Sequence, residues 1–235
     1  MALDQELVKS VAEGISPPVV RFFGWNPPAV SLGYNQKKAD LDIDACRRAG
    51  FDIVRRPTGG RAVLHKDEFT YSVIALESDP LIGGTILETY QSIATALLAG
   101  LEKLGVAAEM VKSSISDTST KGAPLCFAAA GRYEISASGK KLIGSAQRRI
   151  NGVILQQGSL LLSCDQREDF FKTPGPQVQA GTLKEILGCQ LDYHQVSAAM
   201  KTGFSQSWKV IFEDSHVSQD EERGVTKLMQ EAKPV

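Results

Sequence analysis

Leu3, Leu7 and Val11 recur at four-residue intervals and Gly14 follows, which predicts an amphipathic helix over residues 2–13. Pro17-Pro18 breaks that pattern into a strand at 19–23, and the loop Gly24-Trp25-Asn26-Pro27-Pro28 leads to a second strand at 29–34. A short helix at about 43–48 stops at Gly50, where a left-handed cap is easiest for glycine. Three β segments follow, at 51–56, 61–65 and 69–76. The clearest helix runs over 85–104, where Ile86, Tyr90, Ile93, Leu97, Leu101 and Leu104 keep a three-or-four spacing. Thr85 and Glu88 fit its capping box and Gly105 its stop. Further strands are expected at 106–111, 133–137 and 141–149, the last two as a hairpin turning at Ser138-Gly139, then at 153–155 and 158–163. Beyond Asp165 the pattern turns helical, at about 166–171, 183–187 (with Thr182 as cap), 197–208 and 220–231, with Pro174-Gly175-Pro176 as a linker. A sheet with helices inserted and appended is an α+β domain. Its core is expected in residues 1–165, with 166–235 as a helical extension of the same domain.

Bulk properties narrow the function. A chain of 235 residues with 43% hydrophobic and 23% charged residues fits one large globular domain. Its net charge of −1 gives no global case for nucleic acid binding. No apolar run approaches the roughly 20 residues of a membrane-spanning helix, and Met1-Ala2-Leu3-Asp4-Gln5 does not open a signal peptide. Cys46, Cys126, Cys164 and Cys189 form no CxxC pair, so the default is a reduced cytoplasmic protein. Histidines at 65, 194 and 216 are too scattered for a zinc site, and no metal site is expected; His194 and His216 read as solvated tail residues. Neither a GxxxxGK[ST] loop, nor a GxGxxG after a strand, nor a GxSxG elbow is present.

The candidate chemistry concentrates in residues 55–73. Gly59-Gly60 lets backbone N–H groups approach a ligand closely, and Arg55, Arg56 and Arg61 supply fixed donors for a carboxylate, carbonyl or phosphate. Gly-Gly alone would favour a hairpin turn; three arginines and His65 around it favour a binding site. Residues 112–125 are small and polar, the composition of a loop, and in an enzyme such a loop is often a lid. Cys126 follows it. By composition alone a structural role for that thiol is favoured, because a nucleophilic cysteine needs a depressed pKa or a nearby cation. Lys141 supplies one if the two segments adjoin. Gly144 at mid-strand suggests a close backbone approach or a bulge.

Arg55-Arg56-Pro57-Thr58-Gly59-Gly60-Arg61-Ala62-Val63-Leu64-His65, with Glu68 and Thr70-Tyr71-Ser72, closely resembles the signature of the biotin/lipoate protein ligase superfamily. Lys141-Leu142-Ile143-Gly144-Ser145-Ala146-Gln147 is similar to its second signature and Gln157-Gly158-Ser159-Leu160-Leu161 to its third. Met1-Ala2-Leu3-Asp4 and Arg21-Phe22-Phe23-Gly24-Trp25 extend the resemblance to about residues 1–165; the family has a strand and loop ahead of the first of these. The resemblance implies an α+β fold in which a mixed sheet forms a tunnel for an acyl chain.

It also implies one of two chemistries. Lipoate–protein ligases use ATP and magnesium to make lipoyl-adenylate. Octanoyltransferases of the Bacillus type need no cofactor and carry octanoate from acyl carrier protein on a cysteine thioester. Both deliver to the lysine of a lipoyl domain, such as glycine cleavage protein H or a dehydrogenase E2. Cys126-Phe127 before Arg132-Tyr133-Glu134, the arginine after Gly59-Gly60, and the short stretch after Asp165 favour the transferase. On that reading Cys126 is the nucleophile and Lys141 holds the acyl carbonyl. Substrate binding falls to Arg56, Thr58, Gly59, Gly60, Arg61, His65, Gly144, Ser145 and Ala146. The ligase is the alternative, a non-catalytic module that holds acyl or lipoyl proteins is a third reading, and the biotin branch fits Lys141–Ala146 less well.

Overall fold

The computed structural model describes residues 1–111, 134–163, 170 and 180–231. Cys126-Phe127, Arg132, Tyr133, Cys164, Pro174-Gly175-Pro176, the polar loop at 112–125 and the helix expected at 166–171 lie outside the described residues, Phe170 excepted. The elements are α1 (Ala2–Ala12), β1 (Val19–Phe23), β2 (Ala29–Leu32), α2 (Ile43–Arg48), β3 (Asp52–Arg55), β4 (Val63–His65), β5 (Glu68–Leu76), α3 (Ile86–Lys103), β6 (Glu109–Val111), β7 (Glu134–Ala137), β8 (Lys140–Ile150), β9 (Val153–Leu161), α4 (Leu183–Leu187), α5 (Tyr193–Trp208) and α6 (Gln219–Glu231). The expected α+β class is the observed one, and both the Thr85–Glu88 capping box and the Thr182 cap form as read.

Six strands form one sheet in the order β1-β5-β9-β8-β7-β6, antiparallel at every junction. A second sheet has the order β3-β2-β4, with β2 parallel to β3 and antiparallel to β4. The parallel pairing of the mixed architecture therefore sits in the small sheet. The plain hairpin that Gly-Gly alone would favour at residues 51–65 does not form: β3 and β4 do not pair, because β2 lies between them. The Gly59-Gly60 segment accordingly crosses the end of β2 instead of turning between neighbours.

Residues 153–161 are one continuous strand where two had been expected. Gly158, within this strand, is there for packing. A Cβ built on it would stand 2.3 Å from Cε1 of Tyr71, so only glycine leaves that ring its place. The strand expected at 106–111 shortens to Glu109–Val111 because 106–108 serve as the return from α3.

On one face of the large sheet Phe69, Tyr71, Val73, Ala75, Ile143 and Leu160 pack against α3 and α5 in the main hydrophobic core. On the other face α1 covers Ile74, Val153 and Leu155 with Leu7, Val8 and Val11. The small sheet has its own core, in which Val30, Leu32 and Leu64 meet Cys46 and Phe51. Val63 packs on Leu161 and joins the small sheet to the large one.

Candidate active site

The site lies between the two sheets, where polar residues take over from α1's apolar contacts. Period-two alternation turns Glu68, Thr70 and Ser72 of β5 to the face opposite Phe69, Tyr71 and Val73. Gln157 and Ser159 of β9 stand on the same face, in register with Ser72 and Thr70. All five are buried. Asp4 joins them from α1, on the same helix face as Leu7, Val8 and Val11, and is fully buried. Its carboxylate accepts from Ser72 Oγ (3.0 Å), Gln157 Nε2 (2.6 Å) and the guanidinium of Arg21.

This network holds the glycine loop. Thr58 Oγ1 donates to Gln157 Oε1 at 2.7 Å, and Arg148 NH1 of β8 donates to Pro57 O at 3.0 Å. From the small sheet, Arg56 donates to Ser31 O and Ser31 Oγ (both 3.0 Å), to Gly59 O (2.8 and 3.2 Å) and to Arg61 O. Arg55 NH1 donates to the carbonyls of Gly33, Tyr34 and Gln36. Arg55 and Arg56 thus order the loop through these bonds, all to main-chain carbonyls except the one to Ser31 Oγ. Gly33 explains the tightness of the crossing: a Cβ there would fall 1.9 Å from Gly60 O. Gly60 itself has φ +87°, the left-handed region that favours glycine. Gly59 has open space where a Cβ would stand.

His65 is buried beneath Trp25, whose ring stacks on it at 4.2 Å. Its Nε2 lies 2.8 Å from Ser31 Oγ and its Nδ1 faces Glu68 Oε1 at 3.7 Å. Burial lowers its pKa, against the opposing hydrogen bond and charge of Glu68, so the ring is neutral near pH 7. Glu68 accepts from Thr70 Oγ1 and Ser159 Oγ, and Thr70 Oγ1 in turn accepts from Trp25 Nε1 at 2.9 Å. Beside them opens a cavity of about 400 Å³, its walls including Trp25, His65, Asp67, Glu68, Leu162 and Tyr193.

Along β8, Gly144 pairs with Ser159 and Ala146 with Gln157, so both stand on the site face. Ser145 points the other way. Its Oγ is 2.8 Å from Tyr71 OH, which burial pushes up to a pKa of about 12. Lys141 reaches the site face through an irregularity. The β7–β8 register runs Ser136↔Lys141 and then Ile135↔Ile143, leaving Leu142 as an extra residue. Leu142 and Ile143 both enter the core, and Lys141 falls on the same face as Gly144 and Ala146. A bulge commonly re-aims a side chain in this way. Lys141 is buried, and its ammonium meets Glu134 Oε1.

The structure therefore gathers Thr58, Gly59, Gly60, Gly144 and Ala146 around one β8–β9 surface, with Lys141 further along β8. Arg56 and His65 act from beneath, and Ser145 belongs to the opposite face. Cys126 lies outside the described residues. Asp4, Arg21, Gln157 and Glu134 stand in stretches that carry the resemblance, but sequence reasoning gave neither them nor Arg148 a role in the site. Asp4 had a visible signal, a carboxylate on the apolar stripe of α1. Among the described residues no group of His, Cys, Asp and Glu side chains is arranged to hold a metal ion. No helix described is long and apolar enough to cross a membrane.

An α+β fold with this glycine loop between its sheets is the lipoate–protein ligase fold. A crystal structure of lipoate-protein ligase A bound with ATP superposes with a TM-score of 0.80, at 23% identity, covering 98% of this chain and 88% of that one. The structure of protein Ta0514 from T. acidophilum with bound lipoic acid superposes at 0.78 and 22%, covering 97% and 87%. The family description "Lipoyl protein ligase A/B catalytic domain" matches residues 1–205. The chain belongs to this family, a family of acyl-transferring enzymes. Octanoyltransferase LipM of Geobacillus kaustophilus is 38% identical over 97% of this chain and 88% of its own. That of Moorella thermoacetica is 37% identical with the same coverage.

Proposed function

We propose that the protein is a cytoplasmic octanoyltransferase that carries octanoyl from acyl carrier protein to a lysine of a lipoyl domain, through a thioester on Cys126. The observation that carries this reading is the near-full-length similarity, at 38% and 37% identity, to relatives named as octanoyltransferases. The bulge that turns a buried lysine onto the face beside Gly144 supports it.

In the first half-reaction the Cys126 thiolate attacks the donor thioester. A new C–S bond forms, and the carrier's thiolate leaves and takes a proton from water. In the second, the neutral acceptor amine attacks the acyl-enzyme, a C–N bond forms, the Cys126 thiolate departs and the amine's proton passes to solvent. The Lys141 ammonium stabilises the oxyanion in both steps, with backbone N–H groups at Gly59-Gly60 or Gly144-Ser145 as further donors. Thr58, Gly59, Gly60, Arg61, Gly144 and Ala146 bound the acyl head, while Arg56 and His65 keep the loop in place. No cofactor is needed on this route. The acceptor is a lipoyl domain such as that of glycine cleavage protein H or a dehydrogenase E2.

Intact-protein mass spectrometry after mixing with octanoyl-acyl carrier protein, without ATP, tests the proposal. The expected result is one octanoyl adduct that maps to Cys126, discharges onto a lipoyl domain and is absent from Cys126→Ser. No adduct, with lipoyl-domain modification only after lipoate, ATP and magnesium are added, would replace the transferase with the ligase. Binding of either carrier without modification would leave only a binding module.

A further inference from the structure

We propose that Glu134 is a positioning residue for acyl transfer: its carboxylate fixes the Lys141 ammonium against the acyl carbonyl. The inference rests on the reading that Lys141 serves that carbonyl, and adds a residue the sequence did not nominate.

Two adjacent lysines make the case. Lys140 pairs with Glu185 at 3.2 Å with both side chains more than a third exposed, an arrangement that contributes little to stability. Lys141 pairs with Glu134 where the side chains keep only 3% and 10% of their exposure. Burying two charges costs desolvation that their attraction offsets only with good geometry, so such a pair is weak evidence of a stabilising device. A flexible four-carbon stem bearing a point charge also has many rotamers to lose. An ammonium that must meet a developing oxyanion needs one of them, and Glu134 selects it.

The backbone supports the pairing. The β7–β8 hairpin turns at Ser138 and Gly139, with φ of +52° and +74°, which sets Ala137↔Lys140 and Ser136↔Lys141. Without that register shift, Leu142 would pair with Ile135 and Glu134 would fall opposite Ile143, a core residue. With it, Ile143 falls opposite Ile135, and Glu134 comes beside Gly144 as that register continues. Gly144 has no side chain to compete for the space. Gly181 N also donates to Lys141 O at 2.9 Å, and Ala180 bridges to Lys141, so the lysine's main chain is held from a second side. Bulge, glycine and carboxylate all act on the direction of one side chain.

The test follows single-turnover and steady-state octanoyl transfer from octanoyl-acyl carrier protein to a lipoyl domain, with the folded state checked by urea titration. Glu134→Gln keeps the shape and removes the charge. The expectation is a kcat at least tenfold lower with the KM for the lipoyl domain changed less than threefold, and partial recovery in Glu134→Asp. Lys140→Ala, which breaks the neighbouring exposed pair, is expected to match the parent. A folded Glu134→Gln with the parent's kcat overturns the proposal. Should that variant fail to fold, Glu134→Asp decides: it keeps the charge but draws it back by one methylene, and an undiminished kcat there overturns the proposal equally. Lys141→Met separates the two readings. If it transfers octanoate normally, the role given to Lys141 has failed. If it is inactive while Glu134→Gln is fully active, only the inference about Glu134 has failed.

Discussion

The two faces of the six-stranded sheet are built from the same strands and serve opposite ends. On the face toward α3 and α5, β5 contributes Phe69, Tyr71, Val73 and Ala75, all fully buried in the hydrophobic core, with the Tyr71 hydroxyl hydrogen-bonded. One residue out of step, the same strand contributes Glu68, Thr70 and Ser72, equally removed from water but buried against hydrogen-bonding partners. Burial of a large apolar side chain contributes roughly 1.5–3 kcal/mol. A buried hydrogen bond contributes about 1 kcal/mol net, and a broken one costs more. The apolar face therefore stabilises the fold, while the polar face spends folding energy to hold a loop in a fixed place. Stability and function should separate along this divide when single residues are changed.

The largest stability effect is expected on the apolar side. Phe69→Ala removes a ring packed against Phe22 at 5.0 Å and Tyr193 at 5.5 Å, and should cost about 3–5 kcal/mol. Urea unfolding measures it; the fraction that stays folded should transfer acyl groups at near the parent rate. Gln157→Leu is the counterpart on the polar side. It leaves Thr58 Oγ1 without its acceptor and removes a donor from Asp4. About 1–3 kcal/mol of stability should be lost, with a fall in kcat/KM of at least tenfold because the glycine loop loses its tie to β9. Gln157→Leu with normal transfer would break the comparison.

This divide also explains what the sequence disclosed. Apolar periodicity located α3 and all but the first turn of α5, which starts at Tyr193 and not at 197, and capping residues located the starts of α3 and α4, because those signals are local. The glycine signatures pointed to the loop and to β8 and β9. Strand order was hidden, since nothing local in residues 51–65 tells that β2 will slide between β3 and β4. The polar face was hidden for a related reason. Alternating polar positions on a strand ordinarily face water, and it is the second sheet and the first turn of α1, closing over β5 and β9, that turn Glu68, Gln157 and Ser159 into interior groups. Glu134 depended on a one-residue bulge that periodicity does not reveal.

His65 gives the polar face a pH signature. The folded protein holds the ring neutral among Trp25, Ser31, Glu68 and Arg56, with burial as the main cause of its lowered pKa. The unfolded chain titrates near the ordinary value of about 6.5 and so takes up the proton first. Stability is then fully present above about pH 6.5 and declines as pH falls toward the depressed folded value. The melting temperature should drop between pH 7.5 and 5.5, and His65→Gln should flatten that drop. An equally steep decline in the variant would assign it to other groups.

Ser145 is the smallest and most discriminating case, because it belongs to a signature by sequence and to the apolar side by geometry. Its hydroxyl meets Tyr71 OH at 2.8 Å, and Gln156 Nε2 also donates to that phenol at 3.1 Å. Ser145→Ala therefore removes one of two partners from a buried hydroxyl and opens no large cavity. The cost should be about 1 kcal/mol, read as a small shift in the urea midpoint. Transfer should be nearly unchanged, because the side chains that line the site on β8 are those in step with Gly144 and Ala146. A tenfold loss of kcat with an unshifted midpoint would mean that the Ser145 hydroxyl reaches the substrate during turnover. The division between a structural and a functional face would then fail at this strand.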